Sequence, residues 1–263
     1  MPRKTNLRFP LLLCALGAWS LLLVSCMVVG ERTLVIPPQI PGATLVGSDS
    51  CVKCHSGITH RFHDATHAHL SETLEGGKVR NISCESCHGP ASQHVKAGTR
   101  ETIINPRTNP ESCLRCHVNN RVEFTLPHTH QVLNGKISCN DCHNPHQGPA
   151  LADGAGARSL ATATNQTCAK CHPAQSGHTI FPHEAMRDGC VSCHSPHGSV
   201  NDKMLKARNT SLCYQCHFQN QASGTSIIHG GVDHSNNVIR GTCWSAGCHE
   251  AVHGSNVNSS LRF

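Results

Sequence analysis

Three features of the sequence predict a fold with little regular secondary structure: short α-helices and loops wrapped around something other than a side-chain core. One cysteine–histidine motif recurs eight times along 263 residues. Side chains that normally fill an interior are scarce, with aromatic residues at 3%, and the Leu, Ile, Val and Phe present are densest before residue 47. No segment shows the alternation of a half-buried strand.

The motifs are "CVKCH" at 51, "CESCH" at 84, "CLRCH" at 113, "CNDCH" at 139, "CAKCH" at 168, "CVSCH" at 190, "CYQCH" at 213 and "CWSAGCH" at 243. They use sixteen of the 18 cysteines, leaving only Cys14 and Cys26. C-x-x-C-H is the attachment signature of c-type haem. Two thiols add to two vinyl groups on one porphyrin edge, and the adjacent histidine ligates the iron. The covalent sites are therefore Cys51 and Cys54, Cys84 and Cys87, Cys113 and Cys116, Cys139 and Cys142, Cys168 and Cys171, Cys190 and Cys193, Cys213 and Cys216, and Cys243 and Cys248. The proximal ligands are His55, His88, His117, His143, His172, His194, His217 and His249. Structural zinc would pair knuckles without requiring a histidine after each. Redox C-x-x-C pairs and disulfides leave those histidines unexplained. The eighth motif departs from the pattern, with four residues between its cysteines, and Gly247 helps the longer loop turn.

Six-coordinate iron needs eight more ligands. The chain contains 22 histidines, of which fourteen lie outside the motifs. The motifs group in twos, giving units 51–112, 113–167, 168–212 and 213–263. In each unit one histidine precedes the second motif: His67, His130, His183 and His234. Another follows it: His94, His146, His197 and His253. These eight are the expected distal ligands. His69 competes with His67, His128 with His130, and His229 with His234; His60, His63 and His178 read as solvated residues. The cofactor set is eight covalent haems c, and the fold class becomes a multihaem cytochrome c of four two-haem repeats around a linear haem array. The porphyrins take the place of the missing core. Residues 148–166, rich in small side chains, read as a surface loop.

The N-terminus is basic, then apolar, which is the shape of a secretory signal peptide. It closes on "LVSC", a lipobox, so residues 1–25 are expected to be removed and Cys26 lipidated. The alternative is a plain signal or an uncleaved anchor with Cys26 incidental. Residues 26–50 then form a lipidated tether, and 51–263 the cytochrome domain. This predicts an exported protein, lipid-anchored at or within the outer membrane. Formal charge is +6. Eight haems add about sixteen propionate charges and carry the holoprotein to about −10, so the basic balance compensates cofactor and implies no nucleic-acid partner.

Several stretches resemble the periplasmic multihaem cytochromes of porin–cytochrome complexes, the MtrA/DmsE type: "THAHL", "HGPASQHV", "NGKISCNDCHNPHQG", "GCVSCHSPHGS" and "HEAVHGSN". The resemblance covers residues 51–256, with eight haem motifs where that family has ten. It implies a file of haems inside an outer-membrane β-barrel porin. Such a file exchanges electrons with periplasmic and outer-surface c-type cytochromes and, beyond them, extracellular acceptors such as metal oxides. On this reading the chain is an electron carrier with no catalytic residues. The alternative is a multihaem reductase of a small nitrogen or sulfur oxyanion, which requires one haem with an open position.

Overall fold

The haem motif dictates its own local structure. One helical turn brings the histidine amide back to the carbonyl of the first cysteine. His88 donates to Cys84 O (3.0 Å), His117 to Cys113 (3.0 Å), His143 to Cys139 (2.8 Å), His172 to Cys168 (2.9 Å), His194 to Cys190 (3.0 Å) and His217 to Cys213 (2.9 Å). The stretched eighth motif closes the same bond, His249 to Cys243 at 2.8 Å, across two extra residues. Gly247 there has φ +74.

The structure is a computed structural model describing residues 37–73, 77–147, 160–217, 220–221, 226–238, 242–245 and 247–263. The signal region, Cys26 and most of the tether lie outside the described residues. Regular elements are short. The helix Asp49–Phe62 is the longest among the described residues, and it leaves helical geometry at His55 (φ −113, ψ 35). His117 and His172 hold similar backbone angles between two short helices. The first motif of each of the first three units thus runs helix, motif histidine, helix. In the second motif the chain breaks off instead: His88 is followed by Gly89 at φ +76 and His143 is extended. A proline follows closely in "CHGP", "CHNP" and "CHSP", and proline does not continue a helix.

Among the described residues three small sheets, with strands of two or three residues, pin loops together. Ser71–Thr73 pairs with Val79–Asn81, Phe181–Pro182 with Gly254–Ser255, and Asn220–Gln221, Ile227–His229 and Val232–Asp233 form the third. The expected loop 148–166 gives way at its end to the helix Leu160–Ala169; residues 148–159 lie outside the described residues. Alanine favours that helix, and Ala163 packs inward, 4% exposed. Asn165 ties it to the sixth motif, donating to Met186 O (2.7 Å) and accepting from Cys190 N (2.9 Å).

Side chains alone do not make an interior. Among the described residues the buried apolar set is Ala65, Ile82, Ala91, Leu114, Val132 and Ala163, half of it alanine. One polar centre organises the N-terminal end. Glu85, 1% exposed, accepts from Val46 N (3.0 Å), Gly47 N (2.8 Å) and Ala91 N (2.9 Å). A buried carboxylate is tolerable only when its lone pairs are so occupied. Its bonds fasten residues 46–47 onto the second motif. Pro41 and Thr44 are tied to the following helix by Gln93 and Ser92. In the described residues no helix is long and apolar enough to cross a membrane.

Candidate cofactor-binding site

The repeated motifs hold their thiols in a continuous succession. None of the sixteen motif cysteines is joined to another in a disulfide. Within each unit the first cysteines of the two motifs lie beside one another: Cys51 with Cys84, Cys113 with Cys139, Cys168 with Cys190 and Cys213 with Cys243. Between units other sulfurs come near: Cys87 to Cys116, Cys142 to Cys171 and Cys193 to Cys213. In the first three pairs one sulfur is favoured as thiolate by the bond from its neighbour. Cys84 is drawn down to about 6, and Cys139 and Cys190 each to about 7, while Cys51, Cys113 and Cys168 are pushed up. Burial, with the neighbouring Cys243, pushes Cys213 up to about 12.

Each motif histidine faces one other imidazole across a gap. The ring centroids are 6.2 Å apart for His55 and His94, 6.1 Å for His88 and His146, and 6.1 Å for His117 and His67. They are 6.1 Å apart for His143 and His197, 6.3 Å for His172 and His130, and 6.2 Å for His194 and His253. His217 and His183 stand 6.1 Å apart, and His249 and His234 6.4 Å. Rings in van der Waals contact along this direction would sit closer. A metal bonded to both at the ~2 Å typical of imidazole ligands puts roughly 4 Å between the two nitrogens, and the ring half-widths supply the rest. The spacing therefore fits one iron per pair. With two thiols beside each motif histidine and so small an apolar core, the residues present fit haem c. Among the described residues no cluster of three or more His, Cys, Asp or Glu offers an ordinary metal site.

The partners come from a regular exchange. His146 of the second unit faces His88 of the first, while His67 of the first faces His117 of the second. His197 and His130 cross likewise between units two and three, and His253 and His183 between three and four. Only the outermost pairs close within a unit.

Two crossings are visibly tied. His130 Nδ1 donates to Pro196 O (2.7 Å), and Thr129 Oγ1 to His197 O (2.7 Å). His183 Nδ1 donates to Val252 O (2.8 Å) beside the strand pair Phe181–Pro182 and Gly254–Ser255. The sequence "HGS" stands at both places. A Cβ at Gly198 would lie 2.1 Å from Glu123 O, and one at Gly254 2.2 Å from Thr179 Oγ1; only glycine admits so close an approach.

Backbone carbonyls orient most of the remaining ring nitrogens. His88 bonds Ile104 O (3.0 Å), His94 Thr99 O (2.8 Å), His194 Lys203 O (2.8 Å), His234 Val232 O (2.9 Å) and His249 Ser260 O (2.5 Å). A donor bond from Nδ1 leaves Nε2 as the ligating atom. Burial lowers the pKa of His67, His88, His146, His217 and His253, which keeps those imidazoles in the neutral, ligating form. Among the competing histidines, His128 pairs with Ser199 through its backbone, and its Nδ1 lies 3.8 Å from Asp202 Oδ1; His63, read as solvated, lies exposed beside Asp64. His229 packs against Tyr214 and His234.

Comparison with known proteins agrees with this chemistry. A family model for the doubled CXXCH motif matches residues 130–177 and 183–222. The multiheme cytochrome MtrA of Shewanella baltica is 26% identical over 80% of this chain and 79% of its own length. The C-type polyheme cytochrome OmcB of Geobacter sulfurreducens is 26% identical over 80% of this chain but 30% of its own length. OmcC of the same organism is 24% identical over 73% of this chain and 28% of its own. The chain thus spans under a third of the Omc proteins.

Proposed function

Because this chain is a multihaem c-type cytochrome of the MtrA type, an electron-transfer protein, we propose that it is a wire of eight bis-histidine haems. The observation that carries this reading is the set of eight imidazole pairs, each at 6.1–6.4 Å. A wire needs every iron closed on both faces, so that electrons pass and small molecules do not bind. Every motif histidine has a partner, and none faces an open position as a reductase would require.

The haems, when bound, supply reversible one-electron chemistry. The chain does the rest. Thiols in succession set the order of the sites. Motif histidines and the imidazoles facing them, six of the eight from a neighbouring unit, would hold the irons. Carbonyl bonds to Nδ1 fix the ring orientation and keep Nε2 available.

The four units hold two haems each. The protein is exported through its signal, anchored by lipid at Cys26, and seated in a β-barrel porin of the outer membrane. There it passes electrons between periplasmic donors and outer-surface cytochromes or metal oxides. The test has two parts. Spectra of the purified holoprotein should be low-spin and unchanged by carbon monoxide or nitrite; a species that binds either contradicts the wire. A pull-down from solubilised outer membranes, stained for haem, should bring a large β-barrel; recovery without one contradicts the porin assignment.

A further inference from the structure

At one of the eight pairs a carboxylate stands beside a ring nitrogen. His197 faces His143 and is the distal partner at the fourth motif. Its Nδ1 lies 2.9 Å from Glu123 Oε2. At His88, His94, His130, His183, His194, His234 and His249 the same nitrogen meets a backbone carbonyl instead. Resting on the bis-histidine reading above, we propose that Glu123 is a positioning residue that makes the fourth haem a low-potential step in the interior of the file.

The physical argument concerns charge. A carbonyl accepts the Nδ1 proton as a neutral dipole, whereas a carboxylate accepts it with a full negative charge. The imidazole then becomes a stronger donor to iron. The ferric state carries one more positive charge than the ferrous, so a nearby anion favours ferric and lowers the potential. Arg121, two residues earlier in the helix Val118–Glu123, is paired with Glu111 and is not the group that meets Glu123 in this contact. Glu123 is partly shielded, 44% exposed, which weakens solvent screening without abolishing it.

The contact is built from several directions. Asn120, one turn earlier, places its side-chain amide 2.8 Å from the same Nδ1. With Nδ1 protonated, that amide turns its oxygen to the ring as a second acceptor. Phe124 lies against the His197 ring, with centroids 5.3 Å apart. Gly198 brings the backbone beside His197 onto the Glu123 carbonyl, leaving no room for a side chain. Three residues of one short stretch and a glycine thus converge on one imidazole.

The experiment compares intact holoprotein with the Glu123→Gln and His197→Ala variants by redox titration followed spectroscopically. Glutamine keeps an acceptor oxygen and removes the charge. One of the eight potentials should rise by on the order of 59 mV, the one-electron equivalent of a tenfold change in ferric preference. The low-spin spectrum and haem count should stay unchanged. Glu72→Gln, which removes a carboxylate paired with Arg80 on another element, should leave that potential in place. His197→Ala should convert one haem to a high-spin form. If it does and Glu123→Gln moves no potential, or moves all alike, the role of Glu123 is refuted while the ligation stands. If His197→Ala leaves every haem low-spin, the ligation at this site is refuted and the role of Glu123 with it.

Discussion

At its two ends the molecule pairs histidines within a unit; between them it pairs histidines across units. His55 faces His94 and His249 faces His234, each pair from one stretch of chain. The six inner motif histidines each face an imidazole from the neighbouring unit. The difference resembles that between caps and interior in a repeat protein. On the proposed ligation an inner unit lacks a complete iron site until its neighbours are in place, and each boundary exchanges two imidazoles. The first and fourth units each also close one pair within themselves. Cofactor binding and unit docking are then one event in the interior and separate events at the ends.

The most drastic way to break this comparison is truncation. A chain ending at residue 212 keeps six motifs but loses His253, which faces His194. It should carry six haems, one of them high-spin and reactive to carbon monoxide, as read by absorption spectra. Six low-spin haems would place the partner of His194 within its own unit.

Wedges come next. Gly254→Val puts a side chain where a Cβ alone meets Thr179 Oγ1 at 2.2 Å, at the boundary between the last two units. Overpacking of this kind costs about 3 kcal/mol, and it should also open the His194 site. Gly98→Ala acts at the first end, where φ is +69 and nothing lies within 4 Å. The strain alone costs about 1 kcal/mol, with no change in spin state. Guanidinium unfolding of both variants beside the spectra checks this ordering.

Acid should loosen the interior. The five imidazoles whose pKa burial lowers, His67, His88, His146, His217 and His253, all belong to pairs that cross units. Below about pH 6.5 the unfolded chain takes protons that the folded one resists. Stability therefore rises with pH in that window and falls as pH drops through it. Proteolytic cleavage between units should increase from about pH 7 to about pH 5.

The gentlest contrast is spectroscopic. The imidazole planes of His117 and His67, His143 and His197, and His172 and His130 are inclined at 71°, 45° and 54°. The other five pairs lie within 8–25°. Paramagnetic resonance of the ferric protein responds to that angle. It should resolve two classes of low-spin signal, with the haems of the third, fourth and fifth motifs in the minority class.

Much of this was legible in the sequence because haem attachment is local. Ring geometry, not the fold, sets C-x-x-C-H, and the doubled arrangement shows in spacing alone. The histidines that meet the motif histidines were legible as a set, since a His before and a His after the second motif recur in each unit. Their crossing was not, because pairing across units is a tertiary fact. Glu85 and Glu123 were invisible for a similar reason. Each is an ordinary glutamate until the fold brings backbone amides to one and an imidazole to the other. The repeated "HGS" was the one available signal of the unit boundaries, because two glycines in the same context point to a close approach. The helix Leu160–Ala169 was masked by the small-residue composition, which suits a loop as well as a helix until Ala163 is buried.

The central claim is that neighbouring units exchange ligands, and a holoprotein structure read at the second haem tests it most directly. The iron should be gripped by His88 and His146, residues of different units. Iron held by His88 and His94, both from the first unit, would contradict the exchange.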